Sequence, residues 1–273
     1  MKLHQIDRRW IFLFILLGVS LPLIMPFGLK IEVTKNVQSV YDLVEQSRAG
    51  DKILLSFDYD PASKPELQPM AVAVINHAIE RNLKVICVAL WPMGVSLADE
   101  IYQEKKDFLT YGENFINLGY KAGGLVSIQA MGKNFREVFP NDSNGDNINN
   151  FSIMEGIRTL SDFKFAISFS AGTPGIKEWI MVAGDKFRLP IAGGATAVST
   201  PGFLPYINEQ KQLYGLIGGL KAAAEYELLI HTPGTATSGM DAQSIAHLII
   251  ILFIIMSNIS WYFLQKDKKR GEK

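Results

Sequence analysis

Cysteine and histidine are scarce in this chain. A single cysteine, Cys87, among 273 residues removes a disulfide framework and any cysteine-rich zinc site. The four histidines are His4, His77, His231 and His247, too few and too scattered for a histidine-rich zinc site. A Ser–His–Asp triad would have to use His77, and no GxSxG elbow accompanies it. Neither GxGxxG nor Walker A spacing is present, so no nucleotide motif is present either. Net charge is also missing, with 27 basic residues against 27 acidic ones. That balance is uneven along the chain. Eight basic residues (Lys2, Arg8, Arg9, Lys266, Lys268, Lys269, Arg270, Lys273) and three acids lie at the two ends, which leaves a middle near −5. An acidic middle argues against a nucleic-acid partner, because phosphate contacts supply most of that affinity.

Long apolar runs are there, one near each end. Trp10 to Phe27 and Ile245 to Leu264 carry no charge, and their 18 and 20 residues match a hydrocarbon core of about 30 Å at about 1.5 Å per residue. Trp10, Trp261 and Tyr262 stand where aromatic side chains favour the headgroup region, and basic flanks on both outer sides place both termini in the cytoplasm. The first run also reads as a signal peptide, with Gly18-Val19-Ser20 as a small-x-small cleavage pattern. Either reading leaves the middle outside a bacterial-type plasma (inner) membrane. The expected order is a cytoplasmic tail over 1–9, a span over 10–27, a body over 28–242, a second span over 243–264 and a cytoplasmic basic tail over 265–273. Within the body, 231–242 is rich in Thr, Gly and Ser and reads as a tether.

The body alternates helix and strand patterns. Helices are expected over 37–47, 96–109, 153–160, 176–183 and 208–229. Another should follow a capping box at Ser63-Lys64-Pro65-Glu66, with Leu67, Met70, Ala71, Val74, Ile75, Ala78 and Ile79 on one stripe. Strands are expected over 52–57, 83–90, 114–118, 164–170 and 189–198; 125–138 reads as helix or strand. Apolar runs without alternation suggest strands buried on both faces. The rhythm predicts an α/β domain with a mostly parallel sheet, Rossmann-like or flavodoxin-like, flanked by two transmembrane helices.

Ligands of such sheets bind beyond the carboxyl ends of the strands. Three loops there are candidates. Asp58-Tyr59-Asp60-Pro61 follows the first strand. In Ser170-Ala171-Gly172-Thr173-Pro174-Gly175, free N–H groups of Gly172, Thr173 and Gly175 at a helix start suit an anion. Ser199-Thr200-Pro201-Gly202 follows the last long strand. A hydrophobic strand ending in Asp-x-Asp resembles the first motif of haloacid-dehalogenase-like phosphatases. The resemblance covers Ile53 to Asp60 and implies Asp58 as nucleophile, Asp60 as acid/base and a magnesium ion nearby. Ala62 stands where that motif has Thr or Val, and no paired-acid motif follows downstream. The plainer reading has one Asp turning the chain and the other facing solvent.

Two further features call for a decision. Asp142, Asn144 and Asp146 are spaced like the start of a calcium loop. Asn147, however, replaces the turn glycine and Ile153 the twelfth-position Glu, so an Asx-rich surface loop fits better. Gly215, Gly219 and Ala223, four apart on the expected last helix, form a small-residue ridge for packing on the sheet or on another protomer. Taken together, these features point to a membrane-anchored binding or interaction module outside the membrane, without a cofactor. Its expected partners are the membrane, other membrane proteins or further copies of itself. The alternative is a magnesium-dependent phosphohydrolase using Asp58 and Asp60.

Overall fold

The computed structural model describes residues 8–25, 27, 28 and 31–271. Most of the expected tail 1–9, with Lys2, and the terminal Lys273 lie outside them. Residues 31–236 form one compact unit, and the two ends of the chain form a second.

The body is a six-stranded sheet, parallel throughout. Its strands are β1 (Lys52–Asp58), β2 (Lys84–Ala89), β3 (Phe115–Tyr120), β4 (Ala166–Ser170), β5 (Ile191–Ala195) and β6 (Leu216–Gly218). Their spatial order, β3-β2-β1-β4-β5-β6, is the Rossmann order, and it excludes the flavodoxin-like alternative. The helices are α2 (Lys35–Glu45), α3 (Lys64–Glu80), α4 (Gly94–Lys105), α5 (Leu125–Lys133), α6 (Phe135–Val138), α7 (Ile176–Trp179) and α8 (Gly219–Leu229). They follow α1 (Arg8–Ile24) and precede α9 (Thr235–Gly271). A π-helical turn, Ile180–Gly184, continues α7.

The inner strands are buried almost end to end, as strands covered on both faces must be. On one face Leu54, Ile86, Val88, Ile116 and Ala166 meet Ile128, Met131, Phe135 and Trp179 from α5, α6 and α7. Elsewhere α2, α3 and α8 pack on one another. The expected stripe of α3 is buried from Leu67 to Ala78.

Four expectations are corrected. The stretch 208–229 is not one helix: Leu216–Gly218 adds an edge strand, and α8 starts at Gly219 with φ +72°. Gly215, Gly219 and Ala223 therefore share no helical ridge. A Cβ at Gly215 would lie 2.7 Å from Asn36 O, and one at Gly219 would lie 2.8 Å from Ala197 Cβ, so each glycine admits a different neighbour. Ala223 is buried in α8. Residues 153–160 hold no α-helix. Gly156 at φ +78° separates 3-10 turns at Ser152–Met154 and Leu160–Asp162. Ile153, Met154, Ile157 and Leu160 are nonetheless buried, so their helical spacing reflects a loop pressed into the core.

The third correction is the capping box. Ser63 makes no side-chain cap bond, and the Glu66 carboxylate instead accepts from Ala197 N at 2.8 Å. The fourth is the tether, since residues 235–242 are already helical. Two buried carboxylates of α8 hold the chain where it enters and leaves the body. Glu225 accepts from Thr34 N at 2.9 Å and Thr34 Oγ1 at 2.7 Å. Glu227 accepts from Gly234 N at 2.8 Å and Ala236 N at 3.0 Å.

In the second unit, α9 includes a stretch, Thr235–Tyr262, of 28 residues with hydropathy 2.0, long and apolar enough to cross a membrane. Its side chains, among them Leu248, Ile251, Ile254 and Trp261, are largely exposed. The first apolar helix is shorter, 17 residues with Pro22 inside, and Pro26 follows, disfavouring helix in the residue before it. The two helices touch. Gly18 lies against Ile249 and Ile245, Phe14 faces Phe253 at 6.2 Å, and the buried Asp241 accepts from Phe27 N at 2.7 Å and Gly28 N at 2.8 Å.

Candidate functional site: the carboxyl end of the sheet

Strand order reverses between β1 and β4, and the crevice opened by such a reversal is the default ligand site of this architecture. β1 ends there on Asp58. Alternation along the strand puts Ser56 and Asp58 on one face, and register sets Ser168 of β4 opposite Ser56. Asp58 is fully buried. Its Oδ1 accepts from Ser56 Oγ at 2.7 Å and Leu90 N at 2.9 Å. Its Oδ2 accepts from Ser168 Oγ at 2.7 Å and from Trp179 Nε1 at 3.2 Å. Burial pushes its pKa up to about 6, against the pull of those four donors.

Asp60 turns elsewhere, accepting from Ala62 N at 3.1 Å and Ser63 N at 3.3 Å. The two acids therefore do separate jobs. Magnesium, which the phosphatase resemblance implies, does not fit here: the Asp58 oxygens are enclosed by donors, and Asp60 serves its own turn. Among the described residues no group of three or more His, Cys, Asp and Glu side chains is placed to hold a metal ion.

The two glycine- and threonine-rich loops do reach this end of the sheet, after β4 and β5. Two of the three candidate N–H groups, those of Gly172 and Gly175, have acceptors within the chain, whereas Thr173 N donates to none among the described residues. Gly175 N donates to Glu178 Oε2 at 2.7 Å. Ser170 Oγ donates to Gly172 O at 2.8 Å and accepts from Gly172 N at 3.3 Å. Ala197 N goes to Glu66, as described above. Thr196 Oγ1 bonds Ser199 Oγ at 3.0 Å, and Thr200 Oγ1 donates to Thr196 O at 3.0 Å. Thr173 is exposed. Pro174 precedes α7 by two residues, and its carbonyl accepts from Trp91 Nε1 at 2.8 Å. Trp91 also lies against Gly172, where a Cβ would stand 3.4 Å from the indole.

Protein groups thus engage one another at this end of the sheet: the Asp58 carboxylate accepts from four donors, Glu66 and Glu178 accept from loop amides, and the Trp91 indole bonds the Pro174 carbonyl. Exposed apolar side chains stand at this end of the sheet among polar ones such as Thr173. Val198 is 89%, Val126 75% and Met93 49% exposed, and Tyr120 and Leu125 are exposed as well. Gly124 abuts Pro174, which sets the first turn of α5, with Leu125 and Val126, beside Trp91.

No protein-family model matches the chain, and no curated protein and no solved structure is significantly similar to it. The residues missed by sequence reasoning are Ser56, Ser168, Trp91, Trp179 and Glu178, while Glu66 is expected there only as a capping residue. The two serines did leave a signal, since each interrupts an otherwise apolar buried strand.

The Asx-rich loop closes on itself. Asp142 Oδ1 accepts from Asn144 N at 3.0 Å and Asp146 N at 2.8 Å, and Oδ2 accepts from Tyr111 OH at 2.7 Å. Asn144 and Asp146 are exposed, and Asn144 Nδ2 donates to Asp142 Oδ2 at 3.4 Å. His77 lies far along α3, buried, with Nδ1 2.9 Å from Tyr226 OH and Nε2 2.9 Å from Glu45 Oε2, stacked on Tyr41. Burial lowers its pKa, partly opposed by Glu45. A base whose folded pKa is depressed binds fewer protons folded than unfolded, so its stabilising effect is lost as pH falls below about 6.5. Replacing His77 with Gln should flatten that loss. Urea midpoints of wild type and variant, measured in detergent between about pH 5 and 7, should converge toward the acid side.

Proposed function

We propose that the protein is a membrane-anchored interaction module. Two helices hold it in a bacterial-type plasma membrane with both termini inside, and the Rossmann-like body outside binds other membrane proteins or a second copy of the chain. The exposed apolar side chains at the carboxyl end of the sheet, the apolar rim, carry this reading. A sheet end whose internal polar groups are already paired has little left for a small ligand, whereas exposed Val126, Val198 and Met93 favour a partner surface. Anchoring draws support from the outward-facing apolar side chains of α9, which water would penalise. The shorter α1 gains support from its packing on α9 through Gly18.

A Val126→Cys variant of the full chain tests the rim, because native Cys87 is buried. Cross-linking in membranes should yield a discrete larger product. A Met93→Lys/Val126→Lys variant should lose the corresponding complex on native gels. A monodisperse monomer, with no cross-linked product in membranes, would remove the interaction reading. For topology, protease added to intact spheroplasts should cut the body and spare both tails.

A further inference from the structure

A cavity of about 630 Å³ lies on the body, lined by Lys133, Asn134, Arg136, Gly156, Arg158 and Thr159. Three of these residues are cationic and none is acidic. A cavity of about 380 Å³ beside Asp185, Arg188 and Lys211 and one of about 360 Å³ beside Lys121 and Asp142 both mix signs. The 630 Å³ basin falls within the usual range for small-ligand sites.

Arg136 is half-buried at its wall and is held in place by neutral groups. Nε donates to Ile157 O at 2.7 Å, one terminal nitrogen donates to Asn149 Oδ1, and the other donates to Met154 O. Among the described residues no carboxylate forms an ion pair with it, and two of its five N–H donors make no bond there. Such a guanidinium is oriented in advance, which favours paired hydrogen bonds to phosphate or carboxylate oxygens. A fourth cation stands behind the wall, since Lys52 Nζ donates to Glu155 O and lies 3.9 Å from where a Gly156 Cβ would be. Burial and then Lys84 lower the pKa of Lys52, and Arg136 adds to this against the opposing charges of Glu155 and Asp162.

Two acids belong to this loop: Glu155 is exposed and its charge reaches Lys52, whereas Asp162 is engaged. Asp162 Oδ2 accepts from Arg158 N and Thr159 N, both at 2.8 Å, and from Thr159 Oγ1 at 3.3 Å, and it feels the Arg158 charge without an ion pair to it. The exposed ends of Lys133 and Arg158 make no ion pair among the described residues.

We propose that this basin binds a phosphate-bearing ligand, with Arg136 as the fixed fork and Lys133 and Arg158 as the mobile cations that close on it. The ligand chemistry, a phosphate ester on a small polar group, could come from a soluble polyol phosphate or from a glycerophospholipid headgroup. The proposal is independent of the apolar rim and of its partner.

The test uses the full chain in neutral detergent, titrated calorimetrically with inorganic phosphate and with glycerol 3-phosphate, and separately the chain in nanodiscs with and without phosphatidylglycerol. Saturable binding is expected, weakening several-fold between about 50 and 300 mM salt as charge pairs are screened. A Lys133→Glu/Arg158→Glu variant should bind at least tenfold more weakly with an unchanged melting temperature, since both side chains are exposed. Protection of Lys133 from acylation by phosphatidylglycerol but not by glycerol 3-phosphate would assign the lipid source, and the reverse the soluble one. No saturable binding of any probe up to about 10 mM, weaker than specific sites ordinarily show, overturns the proposal. Binding unaffected by the double variant does the same.

Discussion

Asp58→Ala should destabilise the α/β body by about 3–5 kcal/mol. The substitution strands four donors. The Ser56 and Ser168 hydroxyls can rotate to other acceptors, but Leu90 N–H and Trp179 Nε1–H are fixed. Each stranded buried donor costs about 1–3 kcal/mol, and the vacated volume adds to that. Asp58→Asn should cost less. Its oxygen can serve Ser56 and Leu90, and Ser168 can turn to accept, yet the amide N–H would then face the Trp179 N–H. Adding Trp179→Phe removes that opposition, so the double variant should be more stable than the two single losses predict.

The same carboxyl sets a pH signature. Its folded pKa, about 6, lies above the 3.8 of a free carboxyl, so the folded state takes up a proton that the unfolded state does not. This stabilising contribution is complete below about 4 and is lost as pH rises to about 6, on the order of 3 kcal/mol in all. Thermal unfolding of the full chain in detergent should show that slope, opposite in sign to the one from His77. It should vanish in Asp58→Asn. An unchanged slope would show that Asp58 is not the enclosed, proton-binding group described.

Gly94→Ala should remove more than about 3 kcal/mol or prevent folding. A Cβ there would fall under 3.0 Å from the Phe57 carbonyl oxygen, 2.9 Å from Phe57 C and 3.0 Å from Ala89 Cβ. Those atoms, two of them backbone, belong to buried β1 and β2 and have no room to retreat, so α4 itself would have to lift off the sheet. Overpacking of this kind lies at or beyond the usual range of about 1–3 kcal/mol. Two glycines serve as internal controls. Gly50 at φ +85° has nothing within 4 Å of its Cβ position, so Ala there should cost only the backbone strain, about 1 kcal/mol. Gly202 has neither a positive φ nor a neighbour, and Ala there should be neutral within about 0.5 kcal/mol. Melting temperatures in the order Gly202→Ala, Gly50→Ala, Gly94→Ala would bear out the reading; equal values for all three would refute it.

Much of the body was legible in the residues alone. The runs Ile53–Phe57 and Val85–Ala89 carry enough apolar side chains without alternation to require burial on both faces, and a parallel sheet is how a chain achieves this. The stripe on α3 follows from its i, i+3, i+4 spacing. β6 was not legible, because three residues between glycines carry no periodicity, and Gly215, Gly219 and Ala223 happen to repeat at helical spacing. The 153–160 segment misled for a related reason: a loop of 3-10 turns presses residues three and four apart, Ile153, Met154, Ile157 and Leu160, into the core.

Sequence by itself determined the alternating α/β body, the apolar ends, and the absence of zinc, disulfide and nucleotide motifs, because composition and period are properties of the chain. Only the tertiary structure decided what the loop residues do. The acceptors for Ala197 and Gly175 come from Glu66 and Glu178, and the donors for Asp58 from Ser168, Leu90 and Trp179. Most of these partners are tens of residues away in sequence. A polar group's role depends on what the fold sets within about 3 Å of it, and that distance is not written locally in the chain.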